Sequence, residues 1–231
     1  MRKTNSVLLS LLLLFTLALP ALAAGPGPGV TPDAALTMLK EGNARFAAGK
    51  PQHPRQDKER RAATATKGQQ PFATILSCSD SRAPVELIFD QGVGDLFIVR
   101  VAGNVAGVDE TASVEYAVEH LKTPVLLVLG HTKCGAVTAV VQGAHLTGSL
   151  PSLVSRIRPA VNKTKTAHKD LKGDPLLAAA IKANVYQAMA DLSSKSKIVK
   201  DLVKAGKVQV VGAIYDLESG QVEWLGPPPQ K

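Results

Sequence analysis

The stretch FATILSCSDSRAPVELIFDQGVGDLFIVRV, residues 72–101, opens on an apolar run without alternation (72–77). It passes through a helical pattern at 84–90 and closes on a second apolar run at 96–101. Unalternating runs of this length mark strands covered on both faces, as parallel sheets are. The rhythm continues outward, with a third run at 125–129 and helical patterns at 109–122 and 134–142. Strands alternating with helices predict an α/β fold, in which ligands gather beyond the carboxyl ends of the strands.

Toward the N-terminus, Thr31-Pro32-Asp33 is a helix start: a capping hydroxyl, a proline at the first helical position and an early acid. Leu36, Leu39 and Phe46 then share one face until Gly49. Residues 51–68 are polar and basic and read as a loop with a helical turn. Beyond Gly148 come helical segments around 150–165 and 174–205, the second opening on Asp174-Pro175. A last strand at 208–215 meets a turn at Glu218-Ser219-Gly220 and a short return at 222–225. No repeat or second domain interrupts 31–231. The expectation is one α/β domain: a central four-stranded parallel sheet with a C-terminal extra strand, helices on both faces and an N-terminal helical arm.

The chain has 231 residues, 45% hydrophobic and 20% charged, enough for one core without staples. Its beginning reads differently. Arg2 and Lys3 precede an apolar run from Val7 to Leu19, and Ala21-Leu22-Ala23 has the small-x-small form of a cleavage site. Residues 1–23 are therefore expected to be a removed export signal and 24–30 a flexible leader. The run is short for a bilayer core of roughly 30 Å, so no stable membrane insertion is expected after cleavage. The product would be periplasmic or secreted. Loss of Arg2 and Lys3 lowers the formal charge from +8 to +6, and the basic residues at 163–207 are scattered without interleaved aromatics. That pattern describes a solvated basic surface rather than a nucleic-acid site.

An exported chain with two cysteines ordinarily suggests a disulfide. Here GHTKCGAV (130–137) places His131 and Cys134 three residues apart where a buried strand ends and a helix begins, so both can face one spot. Cys78, at the end of the 72–77 run, can converge on that spot from across the sheet. Two thiolates and one imidazole are the donor set of a catalytic zinc with an open fourth position. Two cysteines packed as small hydrophobes, or joined as a disulfide, are alternatives that the residues alone leave open. A phosphate loop is excluded, because Ala136-Val137 stands where such a loop needs lysine and a hydroxyl.

CSDSR (78–82) followed by GHTKCG (130–135) resembles the β-class carbonic anhydrases. The likeness extends through GQQPFATILSCSDSR (68–82), DQGVGDLFIVRVAGN (90–104), SVEYAVEHLK (113–122) and VVGAIYDLESGQVEW (210–224). It implies one zinc ion per subunit held by Cys78, His131 and Cys134, with Asp80 either a gate paired to Arg82 or a fourth ligand. It also implies reversible hydration of carbon dioxide to bicarbonate and a proton by zinc-bound hydroxide. Asp80 and Arg82 would be catalytic. Gln69, Phe97 and Tyr116 would line the substrate pocket, partly across a subunit interface. The same fold also serves hydrolases of other heteroallenes, such as carbon disulfide or carbonyl sulfide. The resemblance further implies a homodimer or a dimer of dimers, with the N-terminal helix reaching over the partner. Ile75 stands where members with an allosteric bicarbonate site carry tryptophan, which favours an open resting site. None of His53, His120, His145 or His168 stands out as a proton shuttle.

Overall fold

The computed structural model describes residues 29–226; the expected signal and most of the expected leader lie outside the described residues. Five strands form one sheet: β1 (Ala73–Ser77), β2 (Leu96–Arg100), β3 (Val125–His131), β4 (Gln209–Tyr215) and β5 (Val222–Leu225). Their spatial order is β2-β1-β3-β4-β5; the first four run parallel and β5 pairs antiparallel to β4. This is the four-plus-one sheet read from the sequence.

Every residue of β1 and β3 is buried, because these central strands are covered on both faces. On one face Leu76, Leu126 and Val128 pack with Val185, Met189 and Leu192 of a long helix, α8 (Gly173–Lys195). On the other, Ile75, Leu127 and Leu129 pack with Leu36 and Leu39 of α1 (Pro32–Ala47) and Ile88 of α3 (Val85–Ile88). Thr74 and Thr123 are both buried and satisfy one another at 2.6 Å, which removes the cost of an unpaired hydroxyl.

α1 starts as read: Thr31 Oγ1 accepts from Ala34 N at 3.2 Å and Pro32 opens the first turn. Its apolar stripe is buried on this subunit's own sheet, and Asn43 fastens it there. The Asn43 amide donates to Ile88 O (3.2 Å) and Gly220 O (2.9 Å), and its Oδ1 accepts from Val222 N at 2.9 Å. The expected turn within 51–68 is a full helix, α2 (Lys58–Lys67), which buries none of its residues. The segment before it is held by two buried carboxylates. Asp90 accepts from Arg45, Gln52 N and His53 N, and Asp95 from Arg55, Arg60 and Gly92 N.

Helices α4 (Val108–Glu119), α5 (Gly135–Gln142), α6 (Leu150–Ser155) and α7 (Arg158–Ala167) complete the layers with α8 and α9 (Lys197–Lys204). The two sheet edges differ. β2 is bordered only by β1, whereas β5 is four residues long, with Glu223 paired to Lys182 at 3.5 Å.

Candidate metal centre

Register decides the site. Ser77 is the last residue of β1 and lies level with Leu129 of β3, so the chain leaves β1 at Cys78 beside Gly130 and His131. Gly130 also lets α8 approach: a Cβ there would stand 2.7 Å from Val185 Cγ2. After His131 the backbone turns through Lys133, at φ 56°, into the start of α5, which brings Cys134 back to the strand end.

The ligand atoms of Cys78, His131 and Cys134 all lie within 4.8 Å of one another, and the three residues are buried. No disulfide joins the sulfurs. His131 Nδ1 lies 2.9 Å from Thr132 O, so its proton belongs on Nδ1 and the lone pair on Nε2. Nε2 is buried without a hydrogen-bond partner. A buried ring nitrogen with no hydrogen-bond partner beside two sulfurs is suited to binding a cation, and this donor set fits one divalent ion.

The protonation pattern reflects the same crowding. A hydrogen bond from Cys134 is the largest influence on Cys78 and, against the cost of burial, lowers its thiol to about 4. Donating that bond, with burial and the Cys78 charge adding to it, pushes Cys134 far up. Burial pulls His131 down, but the neighbouring Cys78 sulfur outweighs it and leaves the imidazole above its ordinary value.

Asp80 sits at the rim. Arg82 donates to Oδ1 from its backbone N (3.0 Å) and Nε (2.9 Å), and to Oδ2 from Nη2 (2.8 Å). That pairing holds the carboxyl far below the usual carboxylate range, against a smaller opposing cost of desolvation. Oδ2 lies 3.7 Å from His131 Nε2, close enough to face whatever the triad holds. Two further residues not read from the sequence shape the centre. Arg100 donates to Cys78 O (3.0 Å) and Asp80 O (2.7 Å), fixing the loop that carries both side chains. Gly103 N donates to Cys78 Sγ at 3.2 Å.

Cys78, Asp80, Arg82, His131 and Cys134 therefore converge within one subunit. Gln69 does not join them. It is exposed before β1, and the five residues of that strand separate it from Cys78 by about 16 Å. Phe97 lies level with Thr74 in the amino-terminal half of β2, and its ring meets Tyr116 at 5.9 Å. Phe97 packs partly into the core, whereas Tyr116 is 47% exposed and is not a core residue. Tyr116 also stacks on His120 at 5.4 Å.

A parallel α/β sheet bearing a buried cysteine–histidine–cysteine triad at its carboxyl edge defines a metalloenzyme-type centre. A family model described as carbonic anhydrase matches residues 73–222, a span that contains the whole triad. The chain is 40% identical over 199 residues to carbonic anhydrase 2 of Mycobacterium tuberculosis, covering 84% of this chain and 93% of that one. It is 40% identical over 200 residues to a carbonic anhydrase of Mycolicibacterium smegmatis, with coverages of 85% and 94%. Among solved structures, the β-carbonic anhydrase CafA of Aspergillus fumigatus superposes with a TM-score of 0.69 at 28% identity, covering 86% of this chain and 92% of CafA. A Coccomyxa β-carbonic anhydrase in complex with acetazolamide gives 0.66 at 26% identity, with coverages of 82% and 86%. The chain belongs to the carbonic anhydrase family, in its β class.

Proposed function

We propose that this protein is an exported, zinc-dependent carbonic anhydrase that interconverts carbon dioxide and bicarbonate. The observation that carries the reading is the buried Cys78–His131–Cys134 triad with an orphaned Nε2 and an ionised carboxylate 3.7 Å away. Cys78, His131 and Cys134 would hold the ion, which when bound supplies the Lewis acidity that makes water nucleophilic near neutral pH.

The remaining work falls to the chain's own groups. Arg82 keeps Asp80 ionised and turned toward itself, which supports an open site with Asp80 as orienting acceptor rather than ligand. Ile75, standing where members with an allosteric bicarbonate site carry tryptophan, supports the same state. Arg100 anchors the Cys78 and Asp80 carbonyls so that sulfur and carboxylate keep a fixed separation. Gln69, Phe97 and Tyr116 are proposed to bind substrate across a subunit boundary, with His120, stacked on Tyr116, at the same surface. β2 is an unpaired edge. A two-fold axis beside it would bring the amino-terminal half of one copy's β2, with Phe97, near the carboxyl end of the other. The exposed Tyr116 supports the same homodimer. Two β-carbonic anhydrases of Sordaria macrospora, which share this fold, are tetrameric. The Arg2-Lys3 start, the apolar run and Ala21-Leu22-Ala23 support export of a mature chain beginning near Ala24.

The test is carbon dioxide hydration by the purified mature protein, with zinc content measured on the same sample and carbon disulfide assayed in parallel. Stoichiometric zinc with hydration is expected. Metal-free protein with its two sulfurs joined, and no gain after reduction and zinc addition, overturns the proposal; turnover of carbon disulfide alone reassigns the substrate.

A further inference from the structure

We infer that Asn184, on the sheet-facing side of α8, is a positioning residue that sets the electron density of the Cys78 sulfur by holding the Gly103 turn. The inference deepens the metal-site reading above and rests on it.

Residues Ala102–Asn104 form a short 3₁₀ turn directly after β2. Gly103 sits there at φ 74°, a conformation that glycine adopts at little cost. Its two polar atoms point to opposite masters. The N–H donates to Cys78 Sγ at 3.2 Å, and the carbonyl accepts from Asn184 Nδ2 at 2.8 Å. The two groups lie in adjacent peptide planes hinged at the Gly103 Cα, at φ 74° and ψ 18°; holding the carbonyl pins ψ and the second plane, and with it the turn that presents the N–H to the sulfur. The turn has no room to drift. A Cβ on Gly103 would meet Ile157 Cδ1 at 2.6 Å and Ala136 Cβ at 3.3 Å. Its neighbour Asn104 holds φ 44° with a buried Nδ2 that has no partner. A turn that keeps two left-handed residues and an unsatisfied donor is fixed for where it points rather than for its own stability.

Asn184 is itself unusual. It is 2% exposed among Ala180, Ile181, Val185 and Ala188, where an amide is costly unless hydrogen-bonded. A leucine would satisfy packing there, but only a donor of this reach grips Gly103 O. α8 also touches the other side of the centre, since Val185 fills the space left by Gly130 beside His131. One rigid helix thus governs both a ligand's backbone and the hydrogen bond to a ligand's sulfur. A hydrogen bond to a metal-bound thiolate withdraws electron density from sulfur and leaves the ion a stronger Lewis acid.

The experiment loads wild-type and Asn184→Leu proteins with cobalt(II) in place of zinc and records the thiolate-to-cobalt charge-transfer band. Amide exchange at Gly103 is measured alongside. Freed of its hydrogen bond, the sulfur gives up an electron more readily. The band should therefore move to longer wavelength in Asn184→Leu, while Gly103 N–H exchange speeds up and exchange along α8 stays as before. The zinc-loaded variant should lose about 10- to 100-fold in kcat. If Asn184→Leu does not fold, Asn184→Ser, too short to reach Gly103 O, serves in the same measurements. An unmoved band, or unchanged Gly103 exchange, in a folded variant overturns the role of Asn184. Absence of any thiolate band in the wild type overturns the metal reading beneath it, so the two failures are distinct.

Discussion

Replacing Asp80 by asparagine separates the orienting duty proposed for this residue from its structural one. The side chains have the same shape, but one oxygen becomes an NH₂ group. If Oδ1 keeps its bonds from Arg82 N and Nε, the new donor falls where Oδ2 stood, facing Arg82 Nη2 and 3.7 Å from His131 Nε2. The acceptor turned toward the centre is then lost. Stability should barely respond, because the Arg82 side chain is 55% exposed and such a pair is worth about 0.2–1 kcal/mol after solvent screening. For a domain of this size that is a fall of no more than about 4 °C in Tm. Turnover should fall by about 10- to 100-fold or more, the usual scale for a lost partner beside a metal. Stopped-flow carbon dioxide hydration, zinc analysis and thermal melting on one preparation measure all three. Asp80→Asn with full activity and full zinc would refute the orienting role, and a variant that lost zinc would make Asp80 a ligand.

Cys134→Ser should abolish stoichiometric zinc and hydration together; a variant retaining both, by metal analysis and stopped-flow assay, would remove Cys134 from the ligand set. Zinc affinity should rise with pH through the neutral range. Cys134 and His131 are held above their ordinary values and must give up protons to the ion, whereas Cys78, at about 4, is already ionised. Competition titrations should therefore give a slope of log affinity against pH of about 1–2, and a flat line would refute the assignment. Two thiolates neutralise the ion's charge, so hydration should rise toward alkaline pH with an apparent pKa above the value of about 7 seen with three histidines. A pH–rate profile that is flat from about pH 6 to about pH 9 would contradict this. Sedimentation of the mature chain should give a dimer or a multiple of one, and a fully active monomer would sink the shared-pocket reading.

The fold was legible because its signals are local. Runs at 72–77, 96–101 and 125–129 became β1, β2 and β3, and Thr31-Pro32-Asp33 became the cap of α1. Failures came where a local rule lacked contrast. α2 has no apolar stripe, and its one signal was Asp57, whose carboxylate caps Arg60 N at 2.6 Å. α8 begins at Gly173 with Lys172 as its cap residue, so Asp174-Pro175 lies inside the first turn rather than before it. β3 runs on to His131 because β4 pairs with it as far as Tyr215, a tertiary fact that the apolar run does not carry. The triad was readable because its members sit in two short motifs at strand ends. Arg100, Gly103 and Asn184 were not, since their contacts join residues 22, 25 and 81 apart and no periodicity announces them. Gln69 shows the converse limit: its role was expected from a motif position alone, and within one chain it stays exposed before β1, apart from the triad.

The unequal margins of the sheet bear on how far copies of this chain can build on one another. Strand addition is an open-ended process wherever both borders of a sheet accept a neighbour, and it leads to fibres. Here the β5 border is four residues long and carries a charged pair, while the five-residue β2 border has no strand beyond it among the described residues. In the dimer proposed above, joining two β2 borders about a dyad would consume both and turn the blunt sides outward, so the process would end itself at two. A larger particle would then have to grow through helices and loops, leaving the sheet out of its design.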